Sequence, residues 1–425
     1  MPLKALEWGY AMPVTMQQGM KYEYVAVDTA IEKLAKAVEL NLAIQDVETK
    51  SAVGMICAED VYSPIDLPPF DRSAVDGYAL CSEAITSASP NNPIPLKLLP
   101  QGSVLSSCGN AIPVATGQRI PEGADAVVML EDATQEGDVV YVMRSVPKYG
   151  NVSRKGEDIK KGELVVAKGT IIKPQHIAAL SAIGMARVKV YRKLNVGLIS
   201  TGSEVVSPSH GLKAYEQGYI LDSTSILIYT ALSMHRFVNV NWYGFVKDEE
   251  LEIRTIAERA LSENDVLVFT GGTGPGETDK TFKSIVEMGK DVKIIARGLA
   301  IRPGRPTSIL VIESKPVFLL SGFPIAAYIA LHEVVLRAIY TLLKIRSELF
   351  VEVPAKVVKR VCGSVGYSTY VRAKLSKCDG ELCAEPVLLH GSGILRSLLE
   401  ANALIVIPRN VEGFEKGERI WIRLL

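Results

Sequence analysis

Between Leu194 and Leu343 the sequence repeats a pattern of apolar run, loop and amphipathic run, and nothing else in it restricts the possible fold as much. The runs are Val196 to Ser200, Ser225 to Met234, Val238 to Phe245, Glu250 to Leu261, Val266 to Thr270 and Phe282 to Met288. Strands separated by helices pair in parallel through crossovers, which leaves helices on both faces of the sheet. The expected unit is a doubly wound parallel-sheet α/β domain, with its ligand site outside the carboxyl ends of the strands. The loops leaving those ends are Thr201 to Glu204, Lys247-Asp248, Gly271 to Asp279 and Ser321 to Pro324. They hold most of the domain's clustered glycine and polar residues.

One core does not normally organise 425 residues, so two to four domains are expected. Ala30, Ile31, Leu34, Ala35 and Val38 recur at helical spacing over Thr29 to Leu40, with Asp28 placed to cap the helix. From Ser51 to Pro147, short β-rich runs (Ile94 to Leu99, Ala126 to Leu130, Val139 to Val142) alternate with Pro, Gly and Asn turns, which predicts a small β domain. Val351, Val353, Ala355 and Val357 share one strand face and Ala403 to Ile407 is a buried run, so a C-terminal β-barrel is expected.

Lys plus Arg equals Asp plus Glu, 47 each, so no overall charge draws the protein to nucleic acid or an anionic membrane, and any anion site must be local. The six Cys form no Cys-x-x-Cys pair, which predicts buried or incidental thiols in a reducing cytoplasm. The first twenty residues carry Lys4, Glu7 and Trp8 and no apolar core of signal-peptide length. The longest apolar region, Val317 to Leu343, is interrupted by Pro324, His332, Glu333 and Arg337, so a strand, a turn and an amphipathic helix are expected there rather than a membrane span. A cytoplasmic protein is the expectation.

Four clusters carry chemistry. Pro69 to Ala79 packs Asp71, Arg72, Ser73 and Asp76 around Gly77; the residues alone leave open a ligand-holding turn or a solvated one with a weak ion pair. Gly271-Gly272-Thr273-Gly274-Pro275-Gly276 offers bare backbone N–H groups ahead of a helix, suited to a phosphate or simply to a tight turn. It lacks the Gly-Lys-Ser/Thr of a Walker A loop and the spacing of a Rossmann fingerprint. Arg302-Pro303-Gly304-Arg305-Pro306 sets two guanidinium groups three residues apart on a stiff backbone, which favours an oxyanion site. Glu204, Asp248 and Asp279 stand at the predicted strand ends, able to hold Mg²⁺ against phosphate or to serve as helix caps.

The blocks Ser73-Ala74-Val75-Asp76-Gly77-Tyr78-Ala79, Thr116-Gly117, Pro121 to Val128, Glu131-Asp132, Gly156 to Ile159, Ser200 to Glu204, Gly271-Gly272 to Asp279, Arg302 to Pro306 and Gly391-Ser392-Gly393 resemble, in order, those of the molybdopterin molybdenumtransferase family, the MoeA and gephyrin E-domain group. The resemblance runs from about Tyr24 to Leu425. It implies a multidomain α/β plus β fold: a discontinuous elongated α+β domain (20–50 and 147–175), an inserted β domain (51–146), a molybdopterin-binding α/β domain (176–346) and a β-barrel (347–425). It also implies insertion of molybdate, or tungstate, into adenylylated molybdopterin with release of AMP.

In that family Asp76, Thr116, Glu204, Asp248, Asp279, Arg302 and Arg305 fall at functional positions. The three acids of the α/β domain would hold Mg²⁺. Gly271, Gly272, Gly276, Arg372 and Ser392 would bind the pterin or position the oxyanion. Asp76 and Thr116 would face the site across the boundary of a homodimer, and a molybdopterin adenylyltransferase would deliver the pterin. Arg302 and Arg305 stand where the family usually has Lys. Gly274, Phe323 and Ala326 replace a Ser, an Asn and a Ser, Ser203 an Asp, and Thr224 an Asn. A divergent paralogue is therefore expected, with a non-catalytic pterin-binding or scaffolding protein as the alternative.

Overall fold

The computed structural model describes residues 23–272, 280–378, 380–387 and 391–425. At its centre is a six-stranded sheet made of β1 (Leu194–Thr201), β2 (Val238–Val246), β3 (Val266–Thr270), β4 (Val292–Arg297), β5 (Ser308–Ile312) and β6 (Lys315–Leu320), in the order β2-β1-β3-β6-β5-β4. The first four in that order run parallel, as crossovers through α1 (Thr224–Ser233) and α2 (Glu250–Glu263) require. Each face has its own core. Val266 and Val268 point into one, with Leu198, Ile228 and Phe318; Leu267 and Phe269 point into the other, with Ile253, Leu261 and Phe282. A strand covered on both faces is buried at every position, as β3 is, and reads as a near-continuous apolar run.

The sheet has an edge that periodicity alone did not indicate. β5 runs antiparallel to both β6 and β4, and a two-residue turn with Glu313 and Ser314 at positive φ joins β5 to β6. The helix Val27–Ala37 packs into the same cluster as β5 and Arg337–Leu342, burying Val27, Ala30, Ile31 and Leu34. Asp28 does not cap it. Ala26 holds the cap position without a side-chain hydrogen bond, and Asp28, already inside the first turn, pairs with Arg337.

A further cluster joins Ala52, Met55, Cys57 and Val61 to Val166, Ile172, Leu180 and Val188, across the expected limits at 51 and 176. Within the segment expected to be an inserted β domain, six strands form a sheet ordered Ala126–Met129, Gly77–Leu80, Asn110–Val114, Ile94–Leu98, Val139–Val142, Ala133–Glu136. The C-terminal strands close into a barrel, because Ser368–Cys378 pairs with both Glu381–Pro386 and Ala403–Ile407. Incidental thiols were expected; instead four of the six Cys are paired. Cys81 and Cys108, Cα atoms 5.1 Å apart, form one disulfide, and Cys378 and Cys383, 5.8 Å apart, form another. Cys57 and Cys362 are free.

The helix from Pro324 to Leu342 is long and apolar enough by composition to cross a membrane, yet 72% of it is buried within the protein. It is buried nearly all round rather than amphipathic, because the sheet, the N-terminal helix and the barrel all pack on it. Its Glu333, 2% exposed, is paired with Arg423 and accepts from the Tyr370 hydroxyl at 3.0 Å, which ties the helix to the barrel. Arg423 also meets Glu352 at 3.0 Å. A buried carboxylate with both partners in place is tolerable; one left alone is not.

Candidate functional site

The ends of β1, β2, β3 and β6 come together through backbone. The Gly202 N–H donates to Val246 O at 3.1 Å and the Gly271 N–H to Leu320 O at 3.1 Å. Gly271 (φ +95°) and Gly272 (φ +60°) leave no room for a side chain: a Cβ on the first would run into Thr201 O, and one on the second into Thr281 Oγ1. Gly322 crosses Gly271 so closely that its Cβ would lie 3.3 Å from Gly271 Cα. The Thr201 and Thr281 hydroxyls share a hydrogen bond of 2.9 Å beneath this crossing. Asp279, Gly274 and Gly276 lie outside the described residues.

Two of the expected acids can be located. Asp248 and Ser203 hold each other: the Ser203 N–H donates to Asp248 Oδ2 at 3.2 Å, and the Asp248 N–H to Ser203 Oγ at 3.1 Å. Asp248 Oδ1 is buried and has no partner among the described residues. Glu204 is exposed one residue further on. A cavity of about 400 Å³ opens beside them, lined by Gly202, Ser203, Val205, His210, Phe245 and Lys247 among others. The described residues contain no group of three His, Cys, Asp or Glu side chains that could hold a metal.

Asp222 was not anticipated. It is 5% exposed and accepts from the Thr224 N–H at 2.9 Å, the Ser225 N–H at 3.1 Å and the Ser225 hydroxyl, satisfying the first amides of α1. An acid just ahead of a helical run was the available signal. Thr224, where the resembling family carries Asn, donates its hydroxyl to Gly322 O at 2.7 Å and so braces the β6 loop.

The arginine loop joins this constellation. A Cβ on Gly304 would lie 3.4 Å from Ala326 O, at the start of the helix that follows β6. The Ile325 N–H donates to Ser392 O at 3.0 Å, and Gly393 lies against the Phe323 ring, so the Gly391 to Gly393 segment reaches the same place. Arg302 and Arg305 are exposed, and neither meets a carboxylate among the described residues. Arg372 is placed differently. It is 8% exposed in the barrel wall, donates from Nε to Ser397 Oγ at 3.2 Å, and burial pushes its guanidinium pKa down.

Asp76 and Thr116 form a separate pair on the inserted β domain. Asp76 Oδ1 accepts from the Thr116 N–H at 2.7 Å and its hydroxyl at 3.0 Å, and these bonds hold the carboxyl below its ordinary pKa. Both residues are exposed, and among the described residues their side chains bond to each other rather than to the strand-end loops. The crowding around them is largely structural. Asp71 accepts from the Lys155 N–H at 2.7 Å, the Ser73 hydroxyl donates to Val75 O at 2.5 Å, and a Cβ on Gly77 would collide with Val128 O.

A doubly wound domain with close-packed glycine loops at its strand ends, a carboxylate oxygen there without a partner among the described residues and a basic loop nearby has the architecture of α/β proteins that bind ligands outside the carboxyl ends of their strands. Known proteins narrow the class. Residues 25–184 match a family model described as "MoeA N-terminal region (domain I and II)", 197–341 one described as "Probable molybdopterin binding domain", and 355–425 "MoeA C-terminal region (domain IV)". A Methanocaldococcus jannaschii chain named for molybdopterin biosynthesis is 37% identical over 93% of this chain and 95% of its own length. A Staphylococcus epidermidis molybdopterin molybdenumtransferase is 30% identical over 94% and 95%. The crystal structure of the molybdopterin biosynthesis moeA protein of Pyrococcus horikoshii OT3 superposes with a TM-score of 0.80 at 34% identity, covering 95% of this chain and all of that one. The chain belongs to the MoeA family, enzymes of molybdenum cofactor biosynthesis.

Proposed function

We propose that the protein is a molybdopterin molybdenumtransferase, which binds adenylylated molybdopterin and molybdate, or tungstate, transfers the metal to the pterin dithiolene and releases AMP. The observation that carries this reading is Asp248, whose Oδ1 is buried without a partner among the described residues, in the loop that leaves β2 at the strand ends. A charged oxygen left without a donor costs stability unless a cation or ligand completes it. Mg²⁺ suits that carboxylate oxygen, since it binds proteins through one or two carboxylates and takes its other oxygens from phosphate and water. Asp248 and Glu204, together with Asp279, would hold it, and its charge would lie against the phosphates of the substrate.

The remaining roles follow from charge and position. The exposed Arg302 and Arg305 receive the oxyanion or a phosphate, with Ser392 at the helix start that Gly304 also approaches and Arg372 as a further positive charge. Asp76 and Thr116 are exposed and bond to each other rather than, among the described residues, to the strand-end loops, which suits a homodimer in which a second copy presents them to the site. A molybdopterin adenylyltransferase would supply the pterin, and the cytoplasm is the expected compartment. The test is incubation with adenylylated molybdopterin and Mg²⁺, with and without molybdate or tungstate. Oxyanion-dependent AMP release is the expected result, and pterin binding without AMP release would leave a non-catalytic pterin-binding protein instead. Sedimentation at twice the mass of one chain is expected at micromolar concentration, and a monomer would rule out the shared site.

A further inference from the structure

We propose that the barrel's Ser364–Tyr367 turn, together with Tyr24, is a positioning element that holds Arg302 and Arg305 ready for their anion. The inference rests on the oxyanion role given to that loop above. The loop is laced on both sides. On one, Ala300 N–H donates to Val25 O at 2.8 Å and Val25 N–H to Gly298 O at 3.3 Å, in a parallel bridge between Val25 and Leu299. On the other, Ile301–Arg302 pairs in parallel with Ser368–Thr369, and the Ser368 N–H donates to Ala300 O at 2.9 Å. Chain start and barrel thus meet across the loop, and each sends a side chain to an arginine.

Arg302 Nη1 donates to Ser364 Oγ at 2.5 Å. The Arg305 guanidinium sits 5.6 Å from the centre of the Tyr367 ring and 6.0 Å from that of Tyr24, and the two rings pack edge to face at 5.5 Å. Ser364 and Tyr367 are the ends of one tight turn: the Tyr367 N–H donates to Ser364 O at 2.9 Å, and Gly366 at φ +90° lets the backbone reverse. A single turn therefore fixes both arginines. Ring faces and a hydroxyl orient a guanidinium without neutralising it, whereas a carboxylate would occupy the fork intended for the ligand. Both arginines keep their charge and their free N–H groups, and fewer rotamers remain to be lost on binding.

The test measures molybdate and AMP binding by calorimetry, and KM and kcat for AMP release, in Tyr24→Leu/Tyr367→Leu, in the matching double Phe variant and in Ser364→Ala. Removing the ring faces is expected to weaken binding of one of the two anions, and raise the corresponding KM, by about two- to fivefold with kcat nearly unchanged. The Phe pair keeps the faces and is expected to bind as the native protein does. Arg302→Ala/Arg305→Ala is measured alongside. If the Ala pair loses binding and the Leu pair does not, the positioning inference is wrong while the oxyanion role stands; if the Ala pair also binds normally, the oxyanion role itself is wrong. Loss in the Phe pair equal to that in the Leu pair overturns the part assigned to the rings. Should the double Leu variant fail to fold, Tyr24→Leu alone, at a side chain 40% exposed, serves the same comparison.

Discussion

Two carboxylates at expected functional positions, Asp248 and Asp76, sit in opposite circumstances. Asp76 is exposed, and one of its oxygens takes two hydrogen bonds from a single threonine. Asp248 has one oxygen held by the Ser203 amide and the other buried with no donor among the described residues. The first is at rest in its own chain, whereas the second carries an unmet demand. The strand-end region combines crowded glycines with an oxygen that lacks a donor among the described residues, a combination that costs stability; the Asp76–Thr116 turn meets its hydrogen-bonding needs locally at the surface.

The largest effect expected from that contrast comes at Gly272. With φ at +60° and a Cβ that would meet both Thr281 Oγ1 and, at 2.9 Å, Thr201 Oγ1, Gly272→Val must displace the floor of the site. AMP release is expected to vanish, with a stability loss of about 3 kcal/mol or more in urea unfolding. Tolerance of Val with normal turnover would mean that the close backbone crossing is not needed. Next comes Asp248→Ala, which removes a carboxylate with one oxygen lacking a donor among the described residues, along with the other oxygen's bond from the exposed Ser203. Stability should stay level or rise slightly while AMP release falls by about 10²-fold. A loss of stability together with full activity would reverse the contrast with Asp76.

The sequence pattern carried the doubly wound domain because burial on both faces writes itself into runs such as Val266–Thr270, and the strand-end rule then located the loops. The antiparallel edge was hidden because its turn is Glu313-Ser314, which lacks the Asn-Gly or Asp-Gly signal for positive φ. Helical spacing at 30–38 showed that a face was apolar without showing that β5 and Arg337–Leu342 would cover it. The pairing of Ile301–Arg302 with Ser368–Thr369 joins segments more than sixty residues apart through two residues, too few to leave a period. Residue type announced the arginines, but their serine and tyrosine partners follow only from that pairing. The disulfides were equally silent, since separations of 27 and 5 match no motif.

A smaller effect is expected at Ser203, which bears on how tightly Asp248 is aimed. Ser203→Ala deletes the hydroxyl that accepts the Asp248 N–H while keeping the Ser203 N–H that donates to Oδ2. Stability should fall by about 0.5–1.5 kcal/mol and AMP release by about three- to tenfold, with the loss in kcat rather than in pterin affinity. No change in either would show that the carboxylate is held by its backbone alone.

The smallest effect belongs to Asp76, and it shows as a pH dependence. Hydrogen bonds from the Thr116 N–H and hydroxyl hold the folded carboxyl below the 3.8 of an unperturbed Asp. A carboxyl depressed on folding contributes stability that is fully present above its unfolded pKa and is lost as pH falls through its folded one. The advantage of the native protein over Asp76→Asn in thermal unfolding should therefore be constant from pH 7 to about 5. It should then shrink below about pH 4. Because the group is exposed, solvent and salt screen the difference, so it should be slight and smaller still at high ionic strength. The dimer supplies the comparison. If a second copy covers Asp76, the same difference should change with protein concentration, and a concentration-independent difference would show that the turn stays open to solvent.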